Sequence, residues 1–202
     1  WFDIHEFLEE KGIEYSKVLM VDACSIPHWN CPDFFKLTGD NMCGMYDMDN
    51  LGWVHESVEG YKHMFNDFKF DLTKYMNSGW VIFNKSHKKL FQKFKRFYLE
   101  NIDEFLKLQT ETVKRGTCQT PLNYFIQMNN IKVDYIPQTF RLSHLHRREA
   151  LRHNWQMDGT EYEDKTPFFI KYGYIWVFSG FAKEHRNKLM EQTWNMLGHM
   201  YE

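Results

Sequence analysis

The feature that most constrains the fold is a short apolar run near the start of the chain, Lys17-Val-Leu-Met-Val-Asp-Ala23. The run is nearly continuous rather than alternating, which is typical of a strand that is covered on both faces of an α/β sheet. A second run, Gly79-Trp-Val-Ile-Phe-Asn84, has the same character. We therefore expect a sheet with buried central strands and helices packed against it.

Segments with helical spacing of apolar residues alternate with these runs. They predict helices over residues 2–11, along a stripe from Leu90 to Leu108, from Thr120 to Asn129, and over Lys183–Tyr201. Ile131–Ile136 and Ile175–Phe178 predict shorter strands, while residues 38–66 are interpreted as loop and short helix. The alternation predicts an α/β fold, and the lack of a repeat or linker predicts a single domain over residues 1–202.

Composition excludes several classes of protein. With 43% hydrophobic and 18% aromatic residues, the chain is too apolar to be disordered. A net charge of -2 shows no basic excess for nucleic acid, and no stretch reaches the roughly 18 consecutive apolar residues of a membrane-spanning helix. The sequence also lacks the Gly-x-Ser-x-Gly elbow, the Rossmann fingerprint and the Walker A loop, which argues against α/β-hydrolase-type enzymes, dehydrogenases, kinases and ATPases.

The four cysteines, at positions 24, 31, 43 and 118, form no Cys-x-x-Cys pair. Free thiols in a reducing compartment are the simplest interpretation, so we expect a cytoplasmic protein. The alternative is a structural zinc bound by Cys24, His28 and Cys31, for which no fourth ligand is evident.

Three places in the sequence are candidates for a ligand site. Asp22 ends the first apolar run, and ligands of α/β sheets bind beyond the carboxyl ends of the strands. The alternative is that Asp22 caps the next turn. Asn77-Ser78-Gly79 precedes the second run and is either a ligand-binding turn or an ordinary one. Gln119 and Asn123 bracket the start of a predicted helix, where amide groups meet polar ligands.

Four segments occur in an order and at separations that resemble a known family. They are Tyr15-Ser-Lys-Val-Leu-Met-Val-Asp-Ala-Cys24, Tyr75-Met-Asn-Ser-Gly-Trp-Val-Ile-Phe-Asn84, Cys118-Gln-Thr-Pro-Leu-Asn123 and Tyr174-Ile-Trp-Val-Phe-Ser-Gly180. The sequence resembles the family-8-like glycosyltransferases of the GT-A fold, the group of glycogenin and the lipopolysaccharide galactosyltransferases. The resemblance implies a mixed sheet flanked by helices that binds a nucleotide-diphospho-sugar.

The resemblance also implies a divalent metal, usually Mn²⁺ (or Mg²⁺), that offsets the charge of the diphosphate leaving group. The family binds this metal with an Asp-x-Asp pair and a histidine near the C-terminus. Here Asp22 stands at the first carboxylate, whereas the second position is Cys24 and the histidine position is Val177. A thiolate prefers softer metals and valine offers no ligand, so a metal site of Asp22 and Cys24 is expected to be weakened or lost.

Further roles follow from the same resemblance. Gln119 and Cys118 match the catalytic positions, with cysteine where the family carries an aspartate near the transferred sugar. The substrate-binding positions are Asn77, Ser78, Gly79 and Asn123.

A basic run, His144-Leu-His-Arg-Arg148, together with Arg152, could neutralise the diphosphate if the metal is weak. The alternative is a solvated helix face that pairs with Glu149. His144 or His146 could also supply a compensating metal ligand.

The N-terminal part of the family's domain is not matched. In the family, several βα units that hold the nucleotide base precede the Asp-bearing strand, whereas here that strand begins at Lys17 after a single helix. We therefore expect an N-terminally truncated domain with an exposed apolar sheet edge, through which copies of the chain could associate.

Two functions are open from the sequence. The first is a glycosyltransferase that moves a sugar from a nucleotide-diphosphate donor, expected to be a UDP-sugar, to a glycan or small-molecule hydroxyl in polysaccharide biosynthesis. The alternative is a non-catalytic GT-A-like binding protein with a degenerate metal site.

Overall fold

The structure, a computed structural model, describes residues 2–47, 50–137, 141–142, 174–180 and 182–202. Packing separates the chain into two units. The first contains Trp1–Met20 and Phe34–Ile136, and the second contains Val21–Asp33 and Pro137–Glu202. The assignment of residues 1–202 to one glycosyltransferase-like domain stays a prediction.

Strands and helices alternate along the described chain. The strands are β1 (Lys17–Val21), β2 (Ser25–Pro27), β3 (Met42–Tyr46), β4 (Met76–Asn84), β5 (Val133–Ile136), β6 (Arg141–Leu142) and β7 (Ile175–Val177). The α-helices are α1 (Ile4–Glu10), α2 (Leu51–Tyr61), α3 (Lys88–Glu100), α4 (Ile102–Lys107), α5 (Gln119–Met128) and α6 (Lys183–Leu197). A π-helical turn, Leu108–Thr112, follows α4.

The strands form two mixed sheets, one belonging to each unit. In the first sheet the order is β1-β4-β3-β5, with β3 antiparallel to β4 and parallel to β5. In the second the order is β2-β7-β6, with β7 antiparallel to β2 and parallel to β6. Mixed sheets combined with helices confirm the prediction of an α/β chain.

Strand β4 is the buried centre of the first unit, as its apolar run predicts. Four successive residues, 80–83, are at most 1% exposed, so both faces of the strand are covered. Val81 and Phe83 belong to a core cluster that also contains residues of β3, β4, α3 and α5: Met42, Met76, Leu90, Phe91, Phe94, Leu122 and Ile126. The apolar faces of α3 and α5 are therefore buried together with β4.

Strand β1 differs from its prediction. Its residues are only partly buried, and Val21 is 37% exposed. Within the described residues β1 pairs with β4 alone, and Val18 and Met20 pack against the core cluster. The expectation of a strand covered on both faces is wrong, because an edge strand needs only one apolar face. Self-association through this edge stays a prediction.

Strand β3 was not predicted, because residues 38–66 show no alternation and Gly44 has low strand propensity. Met42, Cys43 and Met45 are nevertheless 0% exposed. A Cβ atom on Gly44 would lie 2.7 Å from Sδ of Met76, so glycine allows β3 and β4 to approach closely. Tertiary packing, rather than local preference, forms this strand.

The helices follow their predicted patterns with one exception. The stripe from Leu90 to Leu108 is divided between α3 and α4 at Asn101, whose side-chain amide donates to the carbonyl of Phe97 at 2.9 Å. Among the described residues, no helix combines the length and the apolar composition needed to cross a membrane.

Polar pairs connect α1 and the loop after it to α3 and the turn before it. They are Asp3 with Lys95, Glu6 with Gln92, Glu9 with Lys88, and Glu14 with Lys85. These pairs are at the surface, where an ion pair contributes about 0–1 kcal/mol. The docking of α1 therefore depends mainly on what the helix buries.

His5 is the buried polar side chain of α1, with 0% exposure. Its Nδ1 lies 2.6 Å from the Tyr15 hydroxyl, and its ring packs 5.1 Å from Phe83 and 5.5 Å from Phe91, measured between centroids. Nε2 has no hydrogen-bond partner among the described residues. A proton on Nε2 would place an unpaired charge in this apolar environment.

We expect the free energy of unfolding to fall as the pH drops below about 6.5. Burial lowers the pKa of His5 below its ordinary 6.5; Glu6 and Glu9 oppose this shift, whereas Lys88 and His87 reinforce it. Below about pH 6.5 the unfolded chain binds a proton at His5 that the folded chain does not. The contribution of neutral His5 to stability is therefore fully present above that pH and is lost on acidification. His5→Gln should reduce the loss between about pH 7.5 and pH 5.5 in urea unfolding.

His63→Gln is the matched control, because the His63 side chain is 56% exposed. This variant should keep the pH dependence of the parent. Burial also lowers the pKa of His28 and His87, so part of the dependence should survive in His5→Gln. If the free energy of unfolding depended equally on pH in His5→Gln and in the parent, the assignment of this dependence to His5 would be wrong.

Candidate functional site

The predicted site residues fall in both units. The first unit holds Asn77, Ser78, Gly79, Cys118, Gln119 and Asn123, and the second holds Asp22 and Cys24. Participation of Asp22, Asn77 and Gln119 in one ligand site is a prediction that the structure does not test, because these residues belong to different units.

Asn77-Ser78-Gly79 lies inside β4, not in a turn before it. The register with β3 jumps between Gly44 and Met45, so residues 78–80 of β4 bulge out of the ladder. The backbone N–H of Gly79 donates to Asn77 Oδ1 at 2.8 Å and closes a local turn within the bulge. The turn chemistry is therefore present, but the expected position before the strand is wrong.

Gln119 contacts this bulge from the start of α5. Its Oε1 accepts from the Ser78 N–H at 3.0 Å and from the Ser78 hydroxyl at 3.3 Å, and its Nε2 donates to Asp47 Oδ2 at 2.8 Å. The same Oδ2 accepts from Asn77 Nδ2 at 2.8 Å. Asp47, Asn77, Ser78 and Gln119 thus form one hydrogen-bonded group, the amide–carboxylate cluster.

Asp47 is the member of the cluster that the sequence analysis missed. An apolar run, Met42-Cys-Gly-Met-Tyr46, precedes it directly, which is the same signal that singles out Asp22. The Asp47 N–H donates to the Tyr75 carbonyl at 3.1 Å and continues the contact between β3 and the chain that enters β4. Recognising β3 as a strand would have identified Asp47.

Asn123, which is 1% exposed, binds the backbone of two segments that carry the cluster. Its Oδ1 accepts from the Met76 N–H at 2.8 Å, and its Nδ2 donates to the carbonyls of Met76 and Gln119, each at 2.9 Å. Asn123 therefore joins the start of β4 to the first turn of α5. Substrate binding by Asn123, and a catalytic role for the partly buried free thiol of Cys118, stay predictions.

Strand pairing in the second unit brings the predicted metal positions near one another. Ser25 of β2 lies opposite Val177 of β7, and the Phe178 N–H donates to the Cys24 carbonyl at 2.8 Å. The Ser25 N–H donates to the Asp22 carbonyl at 3.0 Å. Directly opposed residues of antiparallel strands have Cβ atoms about 5 Å apart, so position 177 is a neighbour of this segment.

The residues at these positions do not suit Mn²⁺ or Mg²⁺. Within the described ranges, no group of three His, Cys, Asp or Glu side chains is placed to hold a metal ion. Val177 is apolar and 5% exposed, and Cys24 offers a soft thiol. We therefore assign no step to a metal. The other candidate cationic or ligating groups lie outside the described residues: His144, His146, Arg148 and Arg152.

The amide–carboxylate cluster retains unused hydrogen-bonding capacity. Asp47 Oδ1 accepts no hydrogen bond from the described residues, and Asn77 and Gln119 each have a second amide hydrogen. All of these side chains are partly exposed, and Asp47 carries the cluster's only charge. One carboxylate acceptor beside two amide donors suits a neutral ligand with neighbouring hydroxyls, because each hydroxyl both donates and accepts.

Comparison of the sequence with family models and with curated proteins gives no match. The apo structure of the bifunctional glycosyltransferase WbbM is similar over 93% of this chain and 35% of its own, with 14% identity and a TM-score of 0.52. An active-site mutant of LgtC gives 19% identity and a TM-score of 0.48. The galactosyltransferase LgtC in complex with donor and acceptor sugar analogues gives 21% and 0.44.

The chain spans 62% of the LgtC chain in both LgtC structures, while 89% of this chain is covered. It is therefore shorter than the proteins to which it is similar. The likeness to WbbM shows a shared fold, since the identity of 14% is too low to carry a function across.

Asn123→Ala should lower the free energy of unfolding by about 2–4 kcal/mol, because it leaves the buried N–H and carbonyl of Met76 without their partner and removes a bond to the Gln119 carbonyl. Asn129→Ala is the matched control: its exposed amide makes one bond, to the Phe125 carbonyl, and its loss should cost about 0.5 kcal/mol or less. Urea unfolding measures both. Equal losses in the two variants would show that Asn123 does not join β4 to α5.

Proposed function

We propose that the chain is a glycosyltransferase that moves a sugar from a nucleotide-diphosphate donor to a hydroxyl acceptor. The amide–carboxylate cluster carries the proposal: Asp47 Oδ2 accepts from Asn77 Nδ2 and Gln119 Nε2, both at 2.8 Å, and Oδ1 accepts nothing from the described residues. The fold shared with a glycosyltransferase supports it. Within this proposal, the nucleotide is UDP and the hydroxyl acceptor belongs to a glycan or a small molecule.

The cluster would bind and orient the sugar. Asp47 Oδ1 accepts a hydrogen bond from one hydroxyl, and the free amide hydrogens of Asn77 and Gln119 donate to its neighbours. Three groups that are already hydrogen-bonded to one another need little reordering, so more of the binding energy goes into orienting the reacting carbon. Cys118 precedes Gln119 and would line the same edge of the site.

The diphosphate needs positive charge, which the cluster does not offer. We propose that the activity depends weakly or not at all on Mn²⁺, because the described chain supplies no set of three ligands for it. Cationic side chains can stabilise a leaving phosphate directly. The basic run His144–Arg148 and Arg152 are the candidates for this role.

The alternative is a binding protein with the same fold and no turnover. Cys24 and Val177 favour it, because both occupy positions at which the resemblance places metal ligands. Such a protein would keep the sugar-binding cluster and would lack the group that activates the diphosphate.

The test is hydrolysis and transfer with a panel of nucleotide sugars, with and without Mn²⁺. The parent should release nucleotide from at least one donor in either condition, and Asp47→Asn should lower kcat/KM about ten- to hundredfold. Asp103→Asn, which changes an exposed carboxylate of α4, is the matched control and should retain full activity. Sugar binding without turnover would favour the alternative, and no binding of any donor would refute both.

Restoring the missing ligands should create a metal site. Cys24→Asp returns a hard oxygen ligand near Asp22, and adding Val177→His places an imidazole on the neighbouring strand. Calorimetry with Mn²⁺ should show tighter binding for the double variant than for the parent, whereas Cys24→Ser combined with Val177→His should gain less. No gain in the double variant would mean that these positions do not share a metal site.

A further inference from the structure

Three buried hydroxyl groups form a chain in the first unit. Thr120 Oγ1 lies 2.6 Å from Ser57 Oγ and 2.7 Å from the Tyr75 hydroxyl. All three residues are 0% exposed. Thr120 lies in the first turn of α5, and its hydroxyl contacts α2 and the residue before β4.

The chain of hydroxyls connects α2 with the two segments that carry the amide–carboxylate cluster. Ser57 lies on α2, and Tyr75 directly precedes β4, with its carbonyl accepting from the Asp47 N–H at 3.1 Å. Thr120 follows Gln119 in the first turn of α5. A shift of Thr120 would therefore move its neighbour Gln119, which is hydrogen-bonded to both Ser78 and Asp47.

At Gly116, the segment that leads into α5 packs closely against the hydroxyls of Ser57 and Thr120. Its φ is +69°, and a Cβ atom there would lie 1.9 Å from Ser57 Oγ and 2.3 Å from Thr120 Oγ1. The Thr120 N–H donates to the Gly116 carbonyl at 2.8 Å. The Gly116 backbone thus packs directly against the hydroxyls of Ser57 and Thr120.

Tyr75 links the hydroxyls to the cluster electrostatically. Burial raises the pKa of Tyr75 above its ordinary 10.0; Thr120 and Gln119 oppose the rise, and the charge of Asp47 adds to it. The phenol therefore stays protonated at working pH and remains a hydrogen-bond donor.

We propose that Thr120 is a positioning residue, whose buried hydroxyl holds the first turn of α5 so that Gln119 fixes the Asp47 carboxylate for the ligand. Thr120 is 0% exposed and so has no surface to offer a ligand, and its effect on the cluster would pass through Gln119. The identity of the ligand as a donor sugar rests on the proposed function, whereas the effect on Gln119 does not.

Two substitutions separate the hydroxyl from the shape of the side chain. Thr120→Val removes the hydroxyl and keeps the volume, and Thr120→Ser keeps the hydroxyl. The first measurement needs no ligand: hydrogen exchange of the Gln119 side-chain amide, followed by NMR in ¹⁵N-labelled protein. Thr120→Val should accelerate this exchange about fivefold or more, because Gln119 is no longer held against Asp47, and Thr120→Ser should stay within about twofold of the parent.

The second measurement is steady-state kinetics with an accepted nucleotide sugar. Thr120→Val should lower kcat about tenfold or more with KM for the donor changed less than about threefold, since a small displacement of an orienting group acts mainly on turnover. Thr193→Val is the matched control. Thr193 is also 0% exposed, but its hydroxyl donates only to the Leu189 carbonyl of its own helix, so both readouts should be unchanged.

A folded Thr120→Val protein with parental amide exchange would overturn the proposal, whatever its activity. Faster exchange with unchanged kcat would overturn the part that concerns turnover. Faster exchange in a chain that processes no nucleotide sugar would uphold the positioning of Gln119 and refute the proposed function. If Thr120→Val does not fold, Ser57→Ala removes one end of the hydroxyl chain, and unchanged Gln119 exchange in that variant would equally overturn the proposal.

Discussion

The first unit depends on one buried amide, that of Asn123. It gives the Met76 backbone both a donor and an acceptor and also binds the carbonyl of Gln119. Asn123 is 1% exposed and Met76 is 0% exposed, so a displacement of α5 against β4 that breaks these bonds would leave buried polar atoms unpaired. The starts of β4 and α5 are therefore held at a single relative position, and Gln119 reaches the bulge because of it.

The charge of the site follows from how Asp47 is bound. Its partly exposed carboxylate accepts from two neutral amides, so none of its hydrogen-bond partners among the described residues is a cation. A carboxylate with an unused oxygen attracts hydroxyl groups and repels phosphate. A nucleotide-sugar donor would then divide between two environments, with the sugar on the amide–carboxylate cluster and the diphosphate on groups of opposite charge elsewhere.

The fold of this chain does not by itself establish its function. The likeness to WbbM extends over 93% of the chain but over only 35% of WbbM, at 14% identity, and one fold supports many activities. Four side chains with defined hydrogen bonds, those of the amide–carboxylate cluster, instead indicate the chemistry of the ligand. Cys24 and Val177 weigh against a metal-dependent enzyme, because they stand at positions where the resemblance places metal ligands.

The sequence by itself determined the α/β class, the buried β4 and the helices α1, α5 and α6, because each has a local apolar period that can be recognised without its neighbours. It also singled out Asn77 and Gln119, whose side chains both donate to Asp47 in the structure. Only the tertiary structure decided β3, since Gly44 becomes a strand residue through its close contact with Met76. Asp47 and Thr120 became visible for the same reason: their roles are set by partners distant in the chain, and no local pattern encodes such contacts.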